Sequence, residues 1–223
     1  MNAQRPSANY FSTRYLPDPA RSVVWREIIR ALSGYIPRGG AVLELGPGYC
    51  DFINQVPANR KIAVDIDPSA GDFAASDVEL IQGDCGELSM IAAGSIDLVF
   101  ASNLLEHLDR HDATRLLRSA FEVLKPGGTL MLIQPNFRYC YARYFDDYTH
   151  VTPYTDRGLL GLLQSERYRV LKCEPRFLPF SMNSGRAIPR WGWLVRLYLN
   201  LPFRPLAGQM LVVAERPSTQ RGG

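Results

Sequence analysis

Between Ala41 and Glu215 the chain keeps returning to one unit, a short apolar run followed by a stretch long enough to cross a sheet. The runs read AVLEL, KIAVD, VELIQ, SIDLVFAS, GGTLMLIQP, YRVLKC and MLVVAE. They are apolar nearly throughout instead of alternating, which is what strands covered on both faces require. Strands of that kind, joined by crossovers of helical length, pair in parallel and carry layers on both faces of the sheet. The expectation is a Rossmann-like, doubly wound α/β domain with a mostly parallel seven-stranded sheet.

The stretches between the runs fit that plan. Asp18 and Pro19 offer a cap and first-turn proline for a helix that carries Trp25, Ile28, Ile29 and Leu32 on one face and ends near Gly34. A second helix begins near Asp112, sets Leu116, Leu117, Ala120, Phe121 and Leu124 on one side, and stops at KPGG. A third opens at Thr152 and Pro153 and carries Leu159, Leu160, Leu162 and Leu163. At 223 residues one domain is expected. It divides into an N-terminal arm and helix (1–40), a ligand-binding core (41–174), a basic aromatic insertion (175–208), a last strand (209–216) and a tail (217–223).

Net charge is only +3, and no basic run tracks a phosphate backbone, so nucleic acid is not an expected partner. Cys50, Cys85, Cys140 and Cys173 lie far apart with no C-x-x-C pair, so neither a disulfide framework nor a cysteine metal site is predicted. No metal is assigned on sequence. A reducing, cytoplasmic setting fits this cysteine usage, and the N-terminus carries no leader pattern. No run approaches the roughly 20 apolar residues of a membrane helix.

In a doubly wound sheet the ligand lies beyond the carboxyl ends of the strands. Those ends carry Glu44, then Asp65 with Asp67 beyond it, then Asp84, then Ser102 and Asn103. The turn after the first strand, ELGPGYCD, has glycines at 46 and 48 but Asp51 where a dinucleotide fingerprint needs its third glycine. An acid there repels a pyrophosphate, and no P-loop lysine follows. Gly46 and Gly48 allow a ligand close to the backbone, Glu44 suits a cationic group, and Asp65, 21 residues on, suits ribose hydroxyls.

With ELGPGYC, AVDIDPS, QGDCGEL, IDLVFASNLLEHL and EVLKPGGTLMLIQP in order, the chain from Ala41 to Cys173 resembles the class I methyltransferases that use S-adenosylmethionine, in particular their small-molecule branch. The resemblance implies that Glu44, Gly46 and Gly48 line the methionine end of that cofactor. Asp65 takes the ribose hydroxyls, Asp84 faces the adenine amino group with the Cys85 amide beside it, and Asn103 borders the transfer site. Cys50 stands where many such proteins have a further glycine. Glu106 and His107 are read as structural or as pocket lining.

An acceptor hydroxyl needs a base, and RYFDDYTHVTPYT, after the fifth strand, supplies His150 with Asp146 or Asp147 to orient it. The bracing of a loop above the helix cap is the other role Asp147 and His150 could serve. Tyr10, Arg14 and Tyr15 are candidates to close over the sulfonium. The insertion holds five arginines and no acid after Glu174, with Trp191, Leu194, Val195 and Tyr198 on one helical face flanked by Arg190 and Arg196. It suits either a lid or subunit contact, or a peripheral membrane contact through 186–204 at the inner face of the membrane.

The expected activity is O-methylation of a small molecule, sugar or lipid-linked saccharide. A nicotinamide-dependent oxidoreductase is disfavoured by Asp51. A cofactor-binding regulatory or scaffold protein without turnover and a peripheral membrane-binding module remain as alternatives.

Overall fold

The computed structural model describes residues 19–180 and 191–218. Its seven strands are β1 (Ala41–Leu45), β2 (Arg60–Asp65), β3 (Val78–Gln82), β4 (Ile96–Ser102), β5 (Leu124–Pro135), β6 (Arg169–Pro179) and β7 (Ala207–Glu215). They form one sheet in the order β3-β2-β1-β4-β5-β7-β6. Pairing is parallel from β3 to β5, and β7 runs antiparallel to both its neighbours. The order reverses beside β1 and β4, the position where a doubly wound sheet opens a crevice.

Helix α1 (Pro19–Ala31) buries Trp25, Ile28 and Ile29 on one face of the sheet, together with Leu32 just beyond it, against Val42, Phe52, Phe100 and Met131. Its expected cap, Asp18, lies outside the described residues. Helix α2 (Arg110–Val123) packs the other face through Ala113, Leu116, Leu117, Ala120 and Phe121, the i, i+3, i+4, i+7, i+8 stripe of an amphipathic helix. Each buried leucine or phenylalanine of the stripe contributes about 1.5–3 kcal/mol relative to exposure. The cap of α2 is Asp109, whose carboxylate accepts from the Asp112 amide at 2.8 Å, so Asp112 sits in the first turn.

Three local expectations are corrected. First, no regular helix follows the loop after β1: residues 48–55 are successive turns, and Cys50 takes a left-handed φ of 56°, which breaks right-handed progression. Second, after a short helix α3 (Phe137–Cys140), helix α4 (Asp156–Ser165) starts later than Thr152. Thr155 caps it, accepting from the Gly158 amide at 3.1 Å, while the Thr152 hydroxyl donates to the Leu108 carbonyl at 2.7 Å.

Third, helix α5 (Gly192–Asn200) packs on α1 through Val195 and Leu199, whereas Trp191 and Trp193 stack on each other in the open, 66% and 61% exposed. Arg196 is not a loose surface charge. Its guanidinium donates two hydrogen bonds to the buried Glu27 carboxylate, at 2.9 and 3.1 Å, and holds that acid below its ordinary pKa. Arg190 lies outside the described residues.

KPGG ends α2 as expected. Gly127 is left-handed, and a Cβ on Gly128 would stand 2.8 Å from the Lys125 carbonyl oxygen and 3.1 Å from that of Ile96. Backbone atoms cannot yield cheaply, so Gly128→Ala is expected to cost about 1–3 kcal/mol in urea unfolding. An unchanged midpoint would mean the turn is looser than this packing.

Candidate active site

Residues at or just beyond the carboxyl ends of β1, β2, β4 and β5 border one cavity of about 580 Å³, within the ordinary range for ligand pockets. At one end, Gly46 and Gly48 both have left-handed backbone, at φ 62° and 53°. A Cβ on Gly46 would meet Leu104 Cδ1 at 3.0 Å, so the turn needs glycine there for both conformation and space. Glu44 sits beneath this turn, 4% exposed, accepting from the Ile53 amide at 2.9 Å. Burial drives its carboxyl well above the usual carboxylate range, and Asp51 and Asp65 push the same way.

Asp65, 5% exposed at the end of β2, accepts from the Asp67 amide at 2.9 Å and the Gly48 amide at 3.3 Å. Burial raises its pKa too. Two buried acids facing one cavity are costly unless a cation or hydroxyl donors meet them. A ligand with an ammonium group and a ribose answers both demands, so this end fits S-adenosylmethionine. Asn103, left-handed at φ 51°, closes the turn after β4 and accepts from Gln209 Nε2 of β7 at 2.7 Å. Asp51 pairs with Arg21 of α1 at 2.8 Å, and both line the cavity.

Asp84 and Cys85 lie just beyond the end of β3. Neither is among the residues lining the cavity. The Asp84 carboxylate accepts from the Gly86 amide at 2.7 Å and pairs at 2.9 Å with Arg115 of α2, which also reaches Asp112. The Cys85 thiol donates to the Val64 carbonyl at 3.3 Å, and burial pushes its pKa up to about 12. Tyr10, Arg14 and Tyr15 lie outside the described residues.

The other end of the cavity brings together Glu106, His107, Asp146, Asp147, His150 and Phe180. His150 Nδ1 lies 2.7 Å from the Tyr144 carbonyl, which can only accept, so Nδ1 carries the hydrogen and the neutral ring has its basic lone pair on Nε2. Thr149 donates its hydroxyl to Asp147 at 2.6 Å and stands 3.0 Å from His107 Nδ1. Asp147 thus orients His107 through Thr149, and a carbonyl holds His150, a role sequence had no means of assigning. Asp146 is exposed beside Arg143 at 3.7 Å.

The loop is pinned from below by Glu106, whose carbonyl accepts from the Val151 amide at 2.8 Å and the Thr152 amide at 3.2 Å. Its side chain is 1% exposed with both carboxylate oxygens unpartnered, and burial, with Asp147 adding, pushes the carboxyl up to about 8. Glu106 and His107 therefore line the cavity, one of the two roles expected of them. The available signal was their place, an acid and a histidine in the first turn beyond β4.

Residues 43–132 match the family model described as a methyltransferase domain. Two strains of Mycobacterium tuberculosis hold a relative, uncharacterized protein Rv1509 in one and MT1557 in the other, 28% identical over 128 residues. That match takes in 52% of this chain and 43% of the relative, so the chain spans less than half the relative's length. In fold the chain is similar to a SAM-dependent methyltransferase from Archaeoglobus fulgidus, with TM-score 0.67, 20% identity and coverage of 92% and 97% of the two chains. It is also similar to a chain in the complex of the Haloferax volcanii Trm112 methyltransferase activator with a methyltransferase, with TM-score 0.69, 16% identity and coverage of 96% and 99%. A third likeness is to geranyl diphosphate C-methyltransferase from Streptomyces coelicolor, with TM-score 0.61, 13% identity and coverage of 85% and 77%.

Proposed function

We propose that this chain is a class I S-adenosylmethionine-dependent methyltransferase and that it methylates an oxygen of a small molecule, sugar or lipid-linked saccharide seated beside Glu106, His107 and His150. The supporting observation is a single cavity with buried acids and open glycines at one end and two histidines at the other. S-adenosylmethionine supplies, when bound, a methyl group on a positively charged sulfur. Glu44, Gly46 and Gly48 hold its amino-acid end, Asp65 holds the ribose hydroxyls, and Asn103 borders the transfer site.

What the chain itself contributes is position, exclusion of water and removal of a proton. His150 takes the acceptor hydroxyl proton on Nε2. Its ring is fixed by the Tyr144 carbonyl and by Tyr144 and Phe180, at 4.6 and 6.3 Å between centroids. His107, its centroid 5.0 Å from that of His150, forms the adjoining wall.

Purified chain incubated with methyl-labelled S-adenosylmethionine and cell-extract fractions is expected to place label on an ether or ester oxygen, read by mass spectrometry and NMR. Label on nitrogen or carbon would contradict the oxygen acceptor. No label in any fraction, from folded protein, would favour the silent scaffold.

The exposed Trp191, Trp193, Leu197 and Phe203 support a second reading, in which this edge rests on a membrane surface. Among the described residues no helix is long and apolar enough to cross a membrane. Vesicle sedimentation that is lost with Trp193→Glu is the expected result, and indifference to that change would remove the reading.

A further inference from the structure

We propose that Glu106, His107 and His150 form a site for one divalent first-row transition-metal ion at the acceptor end of the cavity. Each residue brings one ligand atom to within 4.8 Å of the other two. Glu106 is the independent pointer: 1% exposed, with neither carboxylate oxygen hydrogen-bonded, it lines the cavity without the partner a buried polar group requires.

The two imidazoles are held as metal ligands are held. His150 donates from Nδ1 to the Tyr144 carbonyl at 2.7 Å. Thr149 has committed its hydroxyl hydrogen to Asp147, so its oxygen, 3.0 Å from His107 Nδ1, accepts from that ring. Both rings therefore carry hydrogen on Nδ1 and a lone pair on Nε2, with a carbonyl behind one and a hydroxyl–carboxylate pair behind the other, the outer-shell pattern that fixes ring orientation at metal centres. Two imidazoles and one carboxylate suit Zn²⁺, Co²⁺ or Mn²⁺, whereas Mg²⁺ and Ca²⁺ prefer oxygen alone. Bonds of about 2.1 Å would draw the ligand atoms from within 4.8 Å to about 3 Å apart.

The ion's role in catalysis rests on the acceptor reading above; its binding does not. An acceptor hydroxyl entering an open coordination position would lose its proton to water at the cavity mouth. The oxygen then forms its bond to the methyl carbon as the carbon–sulfur bond breaks, and sulfur keeps the electron pair. In that state His150 is a ligand, and the ion replaces it in activating the hydroxyl.

The test is titration of chelator-stripped full chain with Co²⁺, followed by visible absorption, and with Zn²⁺ by calorimetry. One ion per chain is expected, with Glu106→Gln and His150→Ala each weakening binding by about 100-fold or more. Asp147→Asn, acting through Thr149 and His107, should cost about 10- to 100-fold. Wild-type binding no tighter than that of Glu106→Gln would overturn the site. Should the variants fold poorly, saturating Co²⁺ must still raise the wild-type Tm, and a Tm that does not move overturns it equally. Titrating the same samples with S-adenosylmethionine separates the two readings: metal binding without cofactor binding keeps the site and sinks the cofactor reading, and the reverse overturns only the site.

Discussion

In protein stripped of divalent ions, Glu106→Gln raises stability at pH 8 by several kcal/mol more than at pH 5. Burial lifts this carboxyl from the ordinary 4.5 to about 8 in the folded chain. The unfolded chain releases the proton near 4.5, the folded chain only near 8, so the folded state binds more protons throughout that window. The stability that comes from keeping Glu106 protonated is therefore complete below about pH 4.5, declines as pH rises, and is gone above about 8. Each pH unit is worth about 1.4 kcal/mol for a group this deeply buried. Glutamine carries no such proton. Both Glu106 oxygens are unpartnered, so the cost of burying a polar end is common to both chains and cancels in the difference. Urea unfolding at the two pH values reads the effect, and parallel behaviour of the two proteins would mean Glu106 is solvated or paired.

His150→Ala is expected to lower methyl transfer by about 10²- to 10⁴-fold while leaving S-adenosylmethionine affinity within about twofold. The ring belongs to the segment after β5, whereas Glu44, Gly46 and Asp65 belong to the ends of β1 and β2, so the loss belongs in the rate of the chemical step. Single-turnover rates at saturating cofactor, beside calorimetric affinities, separate these quantities. A rate within about threefold of wild type would make His150 a brace for the loop that Tyr144 and Thr152 close, through the Tyr144 hydroxyl at 2.6 Å from the Thr152 carbonyl.

The sheet and the turn after its first strand were legible because each rests on a local rule. Buried parallel strands must be apolar on both faces, and runs such as AVLEL and KIAVD are. Gly46 declares a left-handed turn, and Asp65 ends its strand. What was not legible depends on partners distant in sequence. Asp84 pairs with Arg115, 31 residues away, a contact no local pattern announces. In the insertion Val195 and Tyr198 turn inward as expected but Trp191 does not, and the bond from Arg196 to Glu27, 169 residues earlier, had no local signal. Glu106 and His107 were legible as pocket lining, but their meeting with His150 was not, because only the folded loop brings it near.

The central claim is that the loop after β1 and the acid ending β2 hold S-adenosylmethionine, and calorimetric titration tests it most directly. Wild-type chain is expected to bind S-adenosylmethionine with micromolar affinity and NADH not at all, and Asp65→Ala to lose about 1–3 kcal/mol of that binding, roughly 5- to 150-fold. Folded protein that binds neither compound, or that takes NADH in preference, would contradict the account.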